Sequence, residues 1–374
     1  MFYKNRRAKV RDVYTLVFSL SLFFVTSIIV VLIHEGDDLS YFNEQIIGFV
    51  KQVILLSIPF LLFYNNEYDN CTENVQSFMI LYIRSIALYI AFSLFFLIPE
   101  CRNFWAESVY YNSENSKELI SSLSYYTRFG LQGFSGFRHA ILSALAMIFS
   151  IYLFMSGNRE ILKRKISLFL IIIGCFIYGR ISIVSVIVCV MTVGLYSIIR
   201  LRHLKILFLA LMIMIILSFA LYINIDLIQK NHALAWIFEP LLNFINSGGF
   251  SSHSTDELSK MYIMPSDKTI LIGDGFYSNR DGSYYMHTDV GFLRPIFFGG
   301  IFLLISYYSI LIIPLFFIVL KSNLRNSGLL VFLVLLLLTV IEFKGESLIS
   351  ISAVIYTFLL FPLMSMRVDN EKNR

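Results

Sequence analysis

Apolar residues gather along this chain in runs of about twenty, the length that a bilayer core of about 30 Å demands of a crossing helix. Ten such runs stand between charged flanks, near Val13 to Ile33, Ile46 to Tyr64, Phe78 to Ile98, His139 to Met155, Ile166 to Tyr178, Ile181 to Ile199, Ile206 to Ile225, Val290 to Leu320, Leu329 to Ile341 and Ser347 to Met366. The fifth and ninth are the shortest. The pattern predicts an all-α fold: a polytopic bundle of about ten transmembrane helices forming one integral membrane domain over residues 1–374. Two long polar stretches interrupt it, at about 99–138 and 226–289.

Charge fixes the expected orientation. The basic clusters Lys4 to Arg11, Arg159 to Lys165, Arg200 to Lys205, Lys321 to Arg325 and Arg367 to Arg374 hold 17 of the 30 lysines and arginines. All five fall on one side of a ten-helix bundle, the side on which basic residues are retained in the cytoplasm. Both termini are then cytoplasmic and both long loops face outward. The segment Asn65 to Gln76 runs against this rule, since it should be cytoplasmic yet carries Glu67, Asp69 and Glu73 and no basic residue.

Composition agrees with the pattern. Of 374 residues 57% are hydrophobic and 15% charged, with a mean hydropathy of +0.73, values foreign to a water-soluble domain. The net charge of +5 sits at the ends of apolar runs, which argues against nucleic acid as a partner. Cys71, Cys101, Cys175 and Cys189 are scattered, without the spacing of a disulfide framework or a metal site. No small-residue cleavage site follows the first run at His34 to Asp38, so that run is read as a retained helix and not a removed signal peptide.

The polar chemistry concentrates between Gly273 and Gly300, a glycine-rich, aromatic stretch in a chain otherwise dominated by hydrocarbon. Upstream of it, His232 to Asn246 suits a short helix lying at the membrane surface. Between Glu118 and Asp226 the only acidic residue is Glu160, so Arg128, Arg138 and Arg180 have no local carboxylate. An arginine kept from water needs an anion, and its fork matches a phosphate bidentately. The alternatives are that Arg128 and Arg138 reach lipid headgroups or pair with Asp274, Asp281 or Asp289, and that Arg180 is an ordinary turn residue. Arg84 lies inside the third run and is expected to pack within the bundle.

Within the central stretch, Asp274-Gly275 and Asp281-Gly282 are turn dipeptides. His287 stands among tyrosines and aspartates just before a predicted helix, placed to serve as a general base near neutral pH. Asp289 is open to two roles, beside His287 or capping the helix expected from Val290. Arg280 and Arg294 flank that helix start, which favours a diphosphate. Tyr277, Tyr284 and Tyr285 offer faces for sugar rings, although aromatic residues also gather at any membrane interface. No ligand spacing points to a metal.

These residues together resemble the O-antigen polymerase (Wzy) family of bacterial inner-membrane proteins. The likeness is carried by Arg128 to Arg138 before a helix, Gly179-Arg180 at an outer turn, Gly273-Asp-Gly-Phe276, His287-Thr-Asp-Val-Gly-Phe-Leu293 and Gly299-Gly300, within a layout of about ten helices and two large periplasmic loops. Arg280, ten intervening residues and Gly291 are similar to a spacing in the periplasmic loops of some polymerases. Related O-antigen ligases carry a His-Asn-x-x-Leu-like motif, of which His287-Thr288 is the nearest counterpart here.

The resemblance implies a glycosyltransferase similar to GT-C-like polymerase and ligase proteins, multi-pass in the inner membrane. It would join undecaprenyl-diphosphate-linked oligosaccharide repeats at the periplasmic face, with membrane lipid around it and a chain-length regulator as a possible protein partner. It implies no cofactor and no metal. His287 would be the base, Asp289 would orient it, and Arg128, Arg138, Arg180, Arg280 and Arg294 would hold diphosphate or glycan. An O-antigen ligase and a lipid-linked oligosaccharide flippase are the rival functions, and a membrane acyltransferase a more distant one. Few charges approach the midplane positions that a transporter uses; only Lys51 and Arg84 do.

Overall fold

The computed structural model of the protein describes residues 6–36, 38–48, 50, 71–109, 129–131, 133–134, 138–200, 212, 223–230, 232–249, 252–321 and 327–346. In chain order the elements are α1 (Arg6–Ile33), a π-helical turn (Phe42–Ile47), α2 (Cys71–Leu94) with a 3-10 turn (Phe95–Leu97), and α3 (Pro99–Val109). A two-stranded antiparallel pair, β1 (Phe129–Gly130) and β2 (Gly133–Phe134), precedes α4 (Arg138–Met155), α5 (Arg159–Leu162), α6 (Lys165–Tyr178) and α7 (Arg180–Arg200). Then come α8 (Ile225–Lys230), α9 (His232–Ser247), α10 (His253–Lys260), α11 (Asp267–Ile272), α12 (Leu293–Lys321) and α13 (Ser327–Glu342).

The chain is mostly helical, and among the described residues three helical stretches are long and apolar enough to cross a membrane: 75–97, 138–155 and 293–313. The apolar parts of α1, α6, α7 and α13 are shorter over the described residues. Helices thus stand at seven of the ten predicted runs. Most of the second and seventh runs, and all of the tenth, lie outside the described residues.

The chain divides into two compact units, Met1–Phe78 with Asp256–Arg374, and Met79–Thr255. In the first, α1 packs along α12, where the Thr26 and Ser306 hydroxyls meet at 2.7 Å. Tyr41, fully buried, stacks on Phe298 with ring centroids 4.4 Å apart and meets Phe23 and Tyr277 edge-on. In the second, α4 forms the centre, with almost its whole length buried. Gly174 of α6 sits where an added Cβ would press into Ile90 of α2, so glycine is what allows those helices to close.

The predicted eighth run is not one straight helix. At Gly300 the backbone takes φ 71° and ψ −165°, a region open essentially to glycine alone. The break disturbs the i to i−4 ladder there, and the carbonyls of Phe297 and Phe298 accept instead from the amides of Asp274 at 2.6 Å and Gly275 at 3.1 Å. A Cβ on Gly300 would strike the Leu271 carbonyl, and one on Gly273 the Phe298 carbonyl. Two glycines distant in sequence, Gly273 and Gly300, therefore let two backbones touch.

Replacing Gly300 with alanine should cost at least the 1–3 kcal/mol typical of a forced backbone conformation. Thermal unfolding of purified protein in detergent would show it as a lowered midpoint. An unchanged midpoint would mean that the helix runs through.

Candidate functional site

The stretch 273–292 of the first unit is held at several points. Ser266 caps α11, its hydroxyl accepting from the Thr269 amide at 3.1 Å, and the Thr269 hydroxyl in turn donates to Asp274 at 2.8 Å. Asp38, just after α1, accepts from the amides of Tyr277 at 2.7 Å, Ser278 at 2.9 Å and Ser40 at 2.7 Å. Burial alone would lift the Asp38 carboxyl, but the hydrogen bonds from Ser40, Ser278 and Tyr277 outweigh it and hold it below its ordinary value. From Ser278 the chain forms a small hairpin closed by a bridge to Tyr284. Asp281 stabilises its tip by accepting from the Ser283 amide and hydroxyl at 2.9 and 2.6 Å, and Arg280 projects there exposed.

Beneath the hairpin lies a buried ion pair. Arg294, 8% exposed, meets Glu346, 2% exposed, at 3.0 Å. Its guanidinium lies 3.8 Å from the ring centre of Tyr277 and 4.1 Å from that of Tyr284, a cation held between two aromatic faces. The Tyr277 hydroxyl donates to Glu346 as well. Burial first, and then the Glu346 charge, hold the Tyr277 phenol well above its ordinary range, so it stays a donor.

The predicted residues therefore divide. Arg294 is buried and engaged with Glu346, which makes it a support of the stretch, not an exposed phosphate ligand. Tyr277, at 1% exposure, has no face for a sugar. Tyr284 keeps an exposed ring with Arg294 behind it, and Tyr285 is partly buried, stacked on Phe276 and in reach of Asp274 at 3.4 Å. His287 is exposed, and both it and Met286 adopt left-handed backbone conformations at φ 54° and 56°. Two successive non-glycine residues there are strained, a condition that clusters at functional sites.

No hydrogen bond joins the His287 ring to Asp289 among the described residues. Asp289 is half-buried with Oδ1 lacking a hydrogen-bond partner, and burial pushes its carboxyl up against the opposing pull of Arg294 and Lys344. It does not cap α12 either. That helix begins at Leu293, and the Val290 amide donates to the Thr288 hydroxyl at 3.3 Å.

The second unit holds two more of the predicted arginines. Arg138 opens α4 and Arg180 opens α7. An added Cβ on Gly179 would come within 3.2 Å of the Ala140 Cβ, so the starts of α4 and α7 lie side by side. His139 is buried between the rings of Tyr89 and Tyr178, its Nε2 2.8 Å from the Tyr89 hydroxyl. The β1–β2 pair closes over them, for a Cβ on Gly130 would collide with that hydroxyl. Trp105 of α3 donates to the Leu131 carbonyl at 3.1 Å, and Arg102 beside it in sequence is buried. Arg128 lies outside the described residues. Among the described residues no cluster of histidine, cysteine and carboxylates has the makings of a metal site.

These features define a class: a mostly helical protein with helices of membrane-crossing length, compatible with a membrane protein. Comparison with family models, with curated proteins and with solved structures yields no match for the chain.

Two expectations follow from the geometry. Arg294→Met should destabilise the protein by about 3–5 kcal/mol by stranding a buried carboxylate, and adding Glu346→Met should restore most of the loss; chemical unfolding of the single and double variants would read this. Asp289→Asn should instead stabilise the protein at neutral pH. With its folded value raised, Asp289 takes stability away as pH climbs from its ordinary 3.8 through the folded value, so the gain should vanish below that window. A gain that persists in acid would mean that ionisation is not its source.

Proposed function

We propose that the chain is a glycosyltransferase of the O-antigen polymerase kind, joining undecaprenyl-diphosphate-linked oligosaccharide repeats at the periplasmic face of a bacterial inner membrane. The observation that carries this reading is the pairing of the α4 and α7 starts, each opened by an arginine, Arg138 and Arg180. A helix start presents unsatisfied amides and a positive dipole end, and two together at the ends of apolar helices suit the diphosphate of a lipid-linked sugar. Within the first unit by itself, the exposed Tyr284 ring suits a sugar face and Arg280 at the hairpin tip suits an anionic group.

In the proposed reaction a sugar hydroxyl of one repeat attacks the anomeric carbon of the other. A new C–O bond forms, the bond from that carbon to the diphosphate oxygen breaks, and undecaprenyl diphosphate leaves with the electron pair. His287 accepts the hydroxyl proton. Because diphosphate is a good leaving group, the chain chiefly positions two glycans and offsets developing negative charge. Arg294 serves by fixing Tyr284, and Asp289 by its place between His287 and α12.

A transporter reading draws on the break at Gly300, since discontinuous helices line the binding sites of many transporters. Here the carbonyls at the break accept from Asp274 and Gly275, so the chain itself occupies the opening. A ligase would use the same donor and the same groups.

Deleting the gene and restoring it, with surface glycan resolved by gel electrophoresis, tests the function. A ladder reduced to a single repeat on the core is the expected outcome, whereas loss of every repeat would favour the ligase or flippase. His287→Ala should abolish the ladder at unchanged protein level, and the Arg138→Ala, Arg180→Ala double variant should shorten it severely. An intact ladder with His287→Ala would remove that residue as the base.

A further inference from the structure

In the second unit, one side chain at the paired starts of α4 and α7 is only half satisfied. His139, the second residue of α4, is 2% exposed. Its Nε2 lies 2.8 Å from the Tyr89 hydroxyl, and the rings of Tyr89 and Tyr178 cover it with centroids 4.9 and 5.2 Å away. The Nε2 side is closed off, since a Cβ on Gly130 would come within 2.9 Å of that nitrogen. Nδ1 is buried as well, yet it has no hydrogen-bond partner among the described residues. A buried polar atom in that condition is uncommon and calls for a reason.

Covalent structure places Nδ1. It is bonded to the ring carbon that carries Cβ, so it stands beside the first turn of α4. That turn bears the exposed Arg138, and its first amides have no acceptor inside the helix. Gly179 brings the start of α7, opened by Arg180, against Ala140, and the Ser182 hydroxyl ties the turn down by donating to the Cys175 carbonyl at 2.7 Å. None of α4, α6, α7 or the β1–β2 pair contains an acidic residue. With the Tyr89 phenol donating to Nε2, a neutral imidazole carries its single N–H on Nδ1. A buried donor at two positive helix ends is matched by the oxygen of an anion.

We infer that His139 donates from Nδ1 to a diphosphate oxygen of the ligand held at the α4 and α7 starts, as a third donor beside Arg138 and Arg180. The inference rests on the reading of those starts as the diphosphate site. The bond is charge-assisted and transfers no proton: the ring keeps its hydrogen, and the leaving oxygen keeps the electron pair of the broken C–O bond. Its low-dielectric surroundings strengthen it as charge gathers on that oxygen. Nδ1 is reached through a side-chain adjustment at the helix start, of a kind common on binding.

The full-length protein, 15N-labelled at histidine in maltoside micelles, would be titrated with farnesyl diphosphate, inorganic pyrophosphate and phosphatidylglycerol. Farnesyl diphosphate should bind and shift the His139 Nδ1 resonance, and phosphatidylglycerol should not. An asparagine amide overlies Nδ1 of a histidine and a glutamine amide overlies Nε2. His139→Gln should therefore weaken binding on the order of tenfold, the worth of one hydrogen bond to a charged group, while His139→Asn keeps most of it. A ring needed only for packing on Tyr89 would give the opposite order. That order, an absence of binding, an Nδ1 signal unmoved at saturation, or an equal shift with phosphatidylglycerol would each overturn the inference. Inorganic pyrophosphate binding as tightly as farnesyl diphosphate would identify the ligand as a free diphosphate and leave the donor in place. The wild-type titration decides even if a variant fails to fold. A glycan ladder unaffected by loss of the gene would remove the polymerase reading, whereas a shifted Nδ1 signal would still establish the donor.

Discussion

The first unit depends on one constraint: a backbone break in an apolar helix must have its hydrogen-bonding groups satisfied by protein, because hydrocarbon offers none. The break at Gly300 meets this condition with the amides of Asp274 and Gly275, and the consequence is architectural. A polar stretch that precedes α12 in sequence is fastened to the backbone of that helix. Asp38 fixes it again from the side of α1, and Glu342 fixes it a third time through the Gly291 amide. The stretch is thus a docked piece of the fold whose exposed residues are Phe276, the tip around Arg280, Tyr284, Met286 and His287.

The Arg294 and Glu346 pair adds electrostatics to that frame. Taking both charges from water costs several kcal/mol per ion, and the pair is supported by the two tyrosine rings on the guanidinium and by the Tyr277 hydroxyl on the carboxylate. The same arginine therefore supports the exposed ring of Tyr284 from behind. A ring fixed from behind in this way has little freedom left to lose when another group lies on its exposed face.

Much of the helical framework was legible in the sequence, since apolar runs such as His139 to Met155 and Ile166 to Tyr178 coincide with helices to within a residue or so. The run from Val290 to Leu320 was legible as apolar but not as broken, because hydropathy carries no trace of φ at Gly300; the Gly299-Gly300 pair was the available signal. Arg294 and Tyr277 looked like ligand-facing groups because sequence shows residue type and neighbours in the chain, not depth. Their partner, Glu346, lies 52 positions after Arg294, beyond any local pattern. A signal did exist at that end: Glu342 and Glu346 stand one helical turn apart beside an apolar run, with only Lys344 as a nearby basic residue. Asp38 was hidden in the same way, its role being to accept amides some 240 residues away.

Strain at Met286 and His287 becomes intelligible against the docked frame. A left-handed non-glycine residue persists only where its surroundings over-determine it, and here the chain is pinned on both sides, by the Ser278 and Tyr284 bridge before and by the Gly291 amide on Glu342 after. Between those anchors the backbone has too few residues to relax, and the His287 amide closes a tight turn on the Tyr284 carbonyl at 2.8 Å. The histidine is thereby held outward and exposed beside Tyr284, while Asp289, two residues on, is drawn inward to the start of α12. A fixed, outward imidazole next to a supported aromatic face is an arrangement a freely moving loop would not hold. That fixity links the break at Gly300, about two turns into α12, to the position that His287 holds at the surface.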